Sequence, residues 1–358
     1  MSPLARSTDF CRAYGLDLPI LLAPMAGACP VDLSAAVSGA GGMGACGALL
    51  MGPEEITNWA NAHRAASNGA FQINLWIPEG TPERNLEAEA EMRAFLGAWG
   101  PEVKQDAGDA ALIDFDSQCA AILTAGPAIV SSIMGVYPEK FVQEMKAQGI
   151  RWFATVTTVA EALEAEAAGA DVIVAQGAEA GGHRGAFVNM KAEAQGVGLF
   201  ALLPAIVDKV SVPVVATGGI ADARGIAAAL ALGASAVQIG TGFLRCPEAG
   251  IAPAWAEGLA QALPEDTVTT RGFSGRLGRS LRTGYTEALD APGAPKPAPY
   301  PVQRGLTAAM RGAAAKADDL TGMQAWAGQS ARLASAEPAG ALTRRLWADA
   351  QGLLGRRG

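Results

Sequence analysis

The chain has 358 residues, half of them hydrophobic and only 17% charged, which makes a compact globular protein and excludes a disordered one. That length suits one large α/β domain or two ordinary ones. The formal net charge of −8 argues against nucleic acid or an anionic membrane surface as partner, because both demand clustered Lys and Arg.

Short apolar runs recur along the chain, each followed by a segment with helical character. In order they are PILLAPM (19–25), MGACGA (43–48), FQINLW (71–76), AIVSSIM (128–134), RWFATVT (151–157), DVIVAQG (171–177), VPVVATG (212–218) and AVQIG (236–240). Alanine-rich amphipathic stretches such as PEEITNWANAHRAA and DARGIAAALALGA lie between them, opening on Asp, Thr or Pro-Glu and ending in Gly, as helix caps do. Continuously apolar strands that alternate with helices predict a parallel sheet covered on both faces. Eight such units over about 240 residues predict a TIM (β/α)8 barrel. A doubly wound sheet would have fewer strands and a GxGxxG after the first, which is absent.

Two places break the rhythm. Residues 78–118 form a polar insertion with a charged helix around PERNLEAEAEMRAFLGAWG. After Phe243 the alternation stops, and residues 246–320 hold helical segments and the Pro-rich stretch DAPGAPKPAPYPVQ. The expected organisation is a barrel over residues 1–245, joined by C-terminal helices from about 321 to 358, with 246–320 as a small cap or second domain. The five cysteines are scattered with no CxxC pair, and His63 and His183 are far apart, so neither a disulfide framework nor a metal site is expected. The first apolar stretch, LPILLAPMAGA, is interrupted by proline and too short to span a bilayer, and no leader pattern precedes it. A soluble, cytoplasmic protein is the expectation.

Active residues of such barrels sit at the C-terminal ends of the strands. That rule selects Pro24 and Met25, Asn74 and Trp76, Gln176 to His183, Gly218 and Gly219, and Gln238 to Thr241. ATGGIAD and QIGTGF put glycine at the turns after the last two strands, where backbone N–H groups can cradle a phosphate. No Lys or Arg lies in either loop, so the amides and Thr241 would do the binding. Asn74 and Gln176 are carboxamides at the ends of apolar strands and need partners, either a ring with donor and acceptor edges or a neighbouring loop. His183 lies in the glycine-rich loop AQGAEAGGHRG. An ordinary imidazole there could take a proton from carbon or, protonated, hold an anion. Arg184 is expected to face outward or pair with an acid such as Glu179. Among the aromatics, Trp76, Tyr137, Phe187, Tyr285 and Tyr300 could wall a small pocket, with Tyr300 in PAPYPVQ as its lid.

Together APMAG (23–27), FQINLW, AQGAEAGGHRG (175–185), ATGGIAD (216–222) and QIGTGF (238–243) resemble the nitronate monooxygenases, as do FSGRLGRSLRT (273–283) and MQAWAGQSARL (323–333). The resemblance runs over most of the chain. It implies a TIM barrel that binds FMN, with Ala23, Pro24, Met25, Asn74, Gln176, Gly181, Gly182, Gly218, Gly219, Gln238, Ile239, Gly240 and Thr241 at the flavin. It makes His183 the catalytic residue and puts Trp76 and Tyr300 in the substrate pocket. It implies oxidation of alkyl nitronates such as propionate 3-nitronate by O2, through a flavosemiquinone and without reduced nicotinamide, with nitroalkanes as further substrates in some members. The segment VSSIMG (130–135) lacks a histidine that some members carry nearby. The expected state is a monomer or homodimer. The competing readings are a flavin-dependent enoyl-ACP reductase, which shares a GGH motif, and a flavin-binding protein without catalysis.

Overall fold

The computed structural model describes residues 2–109 and 111–355. Each of the eight apolar runs forms a strand. These are β1 (Ile20–Leu22), β2 (Gly44–Gly47), β3 (Phe71–Trp76), β4 (Ile129–Ile133), β5 (Arg151–Val156), β6 (Val172–Gln176), and, after the two-residue strand β7 (Gly182–His183), β8 (Val214–Thr217) and β9 (Ala236–Ile239). Two more strands follow, β10 (Thr267–Thr270) and β11 (Gly278–Leu281). The eight form one parallel sheet in the order β1-β9-β8-β6-β5-β4-β3-β2. Leu22 N donates to Met43 O at 2.8 Å and Met43 N to Ile20 O at 3.0 Å, which closes β1 onto β2 and makes the sheet a barrel.

Alternation along each strand sorts the side chains into two cores. Ile20, Leu22, Ile73, Leu75, Val130, Trp152, Ala154, Ile173, Val214, Val237 and Ile239 pack outward against the helices. Leu21, Ile129, Phe153, Val172, Val174, Val215 and Ala236 fill the lumen, where Phe10 and Tyr14 of the helix Pro3–Tyr14 plug its lower end against Phe153. Phe153 is fully buried, and burying a side chain of that size stabilises by roughly 1.5–3 kcal/mol. Higher in the lumen the inward positions turn polar: Gln72, Asn74, Ser131, Thr155, Gln176, Thr217 and Gln238. Register keeps them level, with Asn74 beside Ser131, Gln176 beside Thr217 and Thr217 beside Gln238.

Local chemistry starts the helices where the sequence predicts. Thr158 accepts from Glu161 N at the head of Val159–Ala167, and Asp222 accepts from Arg224 N and Gly225 N at the head of Ala223–Ala231. Such caps are each worth about 1 kcal/mol. Seven helices follow seven of the strands directly or after an excursion. The eighth place in the helix layer, between Ala223–Ala231 and Val31–Gly39, is filled by the last helix, Ala339–Gly355. Its Leu342, Leu346 and Ala350 join the outer core. Residues 246–338 are therefore one long excursion between the eighth strand and the eighth helix.

That excursion is not made of helices alone, as the sequence suggested. It contributes β10 and β11, which pair antiparallel with each other, and β11 pairs antiparallel with β7. Gly278 lies opposite His183 and Arg279 opposite Gly182. His183 therefore sits in a strand shared with the excursion and not in a loose loop. The polar insertion supplies the helix Leu86–Leu96, which packs through Met92 and Leu96 on Tyr285, Leu306 and Met310. Among the described residues no helix is long and apolar enough to cross a membrane.

Candidate active site

The main cavity opens at the C-terminal mouth of the barrel. Ala23, Pro24, Met25, Asn74, Trp76, Gln176, Gly181, Gly182, His183, Gly218, Gly219, Gln238, Gly240 and Thr241 all line it. Two expected residues do not. Ile239 is buried in the outer core, because the alternation of β9 turns it toward the helices while Gln238 faces the lumen. Tyr300 packs on Trp76 with ring centroids 5.5 Å apart and is not part of the lining. Tyr137 and Tyr285 are core residues, and Phe187 packs against the outer core.

The carboxamides of the upper lumen play different parts. Gln72 Nε2 donates to Gln238 Oε1 at 3.1 Å, which fixes the Gln238 amide with its NH2 group turned to other partners. Asn74 Nδ2 donates to Ser131 Oγ at 3.1 Å, leaving Oδ1 without a partner among the described residues. Gln176 is spent locally: Nε2 donates to His183 O at 3.0 Å and Oε1 accepts from Gly185 N at 2.8 Å. It ties down the β7 segment.

Gly218 and Gly219 have φ of +108° and +68°, a turn that L side chains rarely adopt. Both glycines line the cavity. Among the described residues the N–H groups of Gly218, Gly219, Gly240 and Thr241 find no acceptor in the protein. Gly218, Gly240 and Thr241 are half-buried and Gly219 is exposed, so water or a ligand can reach all four, and free N–H groups clustered in one lining are suited to an anion.

His183 is held from three sides. Its Nε2 lies 2.7 Å from Ser274 Oγ, and the rings of Trp76 and Trp326 meet it edge-on at 4.6 and 4.7 Å. Burial pushes its pKa down to about 3, and Arg276, Arg311 and Arg304 push the same way. The imidazole is therefore neutral at neutral pH. Of the two roles the sequence left open, proton acceptor or protonated anion holder, this lowered basicity weighs against the second. In the tautomer where Nε2–H donates to Ser274 Oγ, the Nδ1 lone pair is left for a ligand.

Arg184 also departs from expectation. It neither faces outward nor pairs with Glu179. It turns inward, donating from Nη1 to Gln176 O at 2.6 Å and from Nη2 to Gln195 O and Thr157 O at 3.3 and 3.4 Å. Those three carbonyls belong to the ends of β5 and β6 and the loop beyond, so Arg184 clasps the rim next to His183. Burial lowers its pKa to about 10. Glu179 instead accepts from Leu199 N at 2.8 and 2.9 Å.

Sequence reasoning missed Ser274, Arg304, Arg311, Gln324 and Trp326, all in the lining and all from the long excursion. Ser274 and Trp326 do lie in two segments that carry the resemblance, FSGRLGRSLRT and MQAWAGQSARL. Arg304 and Arg311 follow the Pro-rich stretch, seven residues apart, and had no signal beyond their charge.

Comparison with known proteins agrees with this geometry. The family model described as nitronate monooxygenase matches residues 12–349. Proteins of Staphylococcus aureus strains JH9 and Newman named "Probable nitronate monooxygenase" are 34% and 33% identical over 331 residues, 92% of this chain and 93% of theirs. The structure of a nitroalkane oxidase from Streptomyces ansochromogenes superposes with a TM-score of 0.86 at 36% identity, over 94% of this chain and 96% of that one. FabK from Thermotoga maritima superposes at 0.75 with 26% identity, over 97% of both chains.

Proposed function

We propose, from the premise that the chain belongs to the nitronate monooxygenase family, that it oxidises small alkyl nitronates with O2 on bound FMN. Membership makes it an oxidoreductase. The observation that carries the reading is the pairing, in one cavity, of four free amides with a neutral, ligand-facing imidazole.

The residues fit FMN. The amides of Gly218, Gly219, Gly240 and Thr241 would hold its phosphate, as helix and strand termini hold anions without a charged side chain. Asn74 Oδ1 and the Gln238 amide would meet the ring's donor and acceptor edges. When bound, FMN supplies the electron-transfer chemistry that no side chain here can. Residues 246–320 would act as the cap, since Ser274 and the arginines reach the cavity from there.

His183 would orient the substrate and exchange a proton at Nδ1, with Ser274 holding the ring and Trp76 and Trp326 packed against it. A base pushed this far down is a poor acceptor of a carbon-bound proton. The arrangement therefore supports nitronates, already deprotonated, as substrates, with neutral nitroalkanes slower. The test is oxygen uptake with propionate 3-nitronate at full FMN occupancy. Uptake is expected, and no uptake with any nitronate overturns the proposal. His183→Asn should keep FMN and lose activity, most severely with nitroalkanes. Rapid bleaching of the flavin by NADPH, with no nitronate turnover, would favour an enoyl reductase instead.

A further inference from the structure

The cavity holds more positive charge than the reaction so far uses. Three guanidinium groups act on His183, from Arg276, Arg304 and Arg311. Arg276 is neutralised by Glu79, Nη2 to Oε1 at 2.6 Å, with its own side chain only 3% exposed. Arg304 and Arg311 line the cavity and make no ion pair among the described residues.

The two are not alike. Arg311 is fixed: Nε donates to Thr307 Oγ1 at 3.0 Å, Nη1 to Gln324 Oε1 at 2.9 Å and Nη2 to Arg304 O at 2.9 Å. The Arg304 guanidinium donates no hydrogen bond to any described residue, so its fork of N–H groups is open to the cavity. Arg311 thus grips the backbone of the very residue whose side chain is free. Burying the Arg311 guanidinium without a carboxylate partner is costly, and it pushes the pKa down to about 10. An entering anion removes that cost. The chain as a whole is acidic, so this positive pocket is a local arrangement and not a reflection of bulk charge. His183, being neutral, leaves the role of cation vacant.

We infer that Arg304 and Arg311 form the anion subsite of this cavity, with Arg304 gripping the two oxygens of a planar nitronate and Arg311 setting its position. A guanidinium fork matches a flat two-oxygen anion in bidentate fashion, and a neutral nitroalkane gains much less from it. The pair makes the site selective for charge, not only for shape. The identity of the anion in turnover rests on the function proposed above.

Nitrate is an inert, planar probe of the same geometry. FMN-loaded protein should bind it at one site by calorimetry, in competition with the nitronate. Arg304→Gln should weaken nitrate roughly 10- to 100-fold, the worth of a hydrogen bond to a charged group, and Arg304→Lys only several-fold. KM for the nitronate should rise with nitrate Kd while kcat stays within about threefold, the signature of lost uniform binding. FMN content should not change. Wild-type nitrate affinity in Arg304→Gln overturns the inference. So does loss of FMN in that variant with nitrate binding only to flavin-free protein, since the arginines would then serve the cofactor phosphate. Arg304-dependent nitrate binding without oxidation of any nitronate overturns the functional reading and leaves the anion subsite standing.

Discussion

Gly181→Ala probes the closest backbone crossing in the site. A Cβ on Gly181 would lie 2.5 Å from Gly328 N and 2.7 Å from Ala327 C, whereas ordinary contact begins at 3.4 Å. Both neighbours are backbone and cannot rotate away. Segment 326–330 must withdraw by about 0.9 Å, the difference between those separations. Overpacking of this kind costs about 1–3 kcal/mol. At roughly 2.1 cal/mol/K of unfolding entropy per residue, that lowers Tm by about 1.5–4 °C. The effect on turnover should be larger. Trp326 rides on the segment and packs on His183 at 4.7 Å, and Thr241 Oγ1 accepts from Gly328 N at 3.0 Å. A displacement near 1 Å at reacting groups costs on the order of 10²-fold in rate. The assay is Tm by calorimetry beside kcat for a nitronate, with FMN content measured. Gly312→Ala is the control, because nothing lies within 4 Å of its Cβ and it sits inside the helix Ala308–Ala317. It should be stabilising by about 0.5–1 kcal/mol and leave kcat alone. Gly181→Ala with wild-type Tm and kcat within twofold would refute the rigidity of this crossing.

Acid should destabilise the fold through both histidines. Their folded pKa values are pushed down by burial, His183 to about 3 and His63 to about 4, from an ordinary 6.5. The unfolded chain therefore binds protons that the folded chain refuses, and stability falls as pH drops from about 6.5 toward 4, by at most about 1.4 kcal/mol per pH unit per histidine. Urea midpoints at pH 7 and pH 5 measure this, and His183→Asn should flatten the slope; equal midpoints for the wild type at both pH values would contradict it. Ser274→Ala removes the partner 2.7 Å from His183 Nε2 and should lower kcat about 5- to 10-fold at unchanged FMN content. An unaltered kcat would show that the Trp rings alone hold the imidazole.

The barrel was legible because its strands are short apolar runs between capped helices, and those signals are local. FQINLW even announces its two faces, with Gln72, Asn74 and Trp76 inward and Ile73 and Leu75 outward. The turns after the last two strands were legible because ATGGIAD and QIGTGF place glycine where each strand ends. What stayed hidden depends on partners far away in the chain. β7 is a strand only because β11 lies beside it, and two residues have no periodicity to read. Arg184 looked like a surface residue because its partners are backbone carbonyls that only the folded rim brings together. The low basicity of His183 comes first from burial and then from arginines 93 to 128 positions later, after a break in the pattern, so the residue was found and its basicity was not.

The shared strand β7 has a consequence for how the protein comes into being. A ribosome that has passed Thr241 has made every strand of the barrel, and with them all four free amides of the cavity. The backbone partner of His183 at Gly278, its hydroxyl at Ser274 and its covering ring at Trp326 are still unmade. The eighth place in the helix layer waits longer still, for Ala339–Gly355. A nascent or truncated chain could gather a cofactor long before it could position the imidazole. Synthesis thus delivers the reactive geometry last, when the chain that shields it is complete.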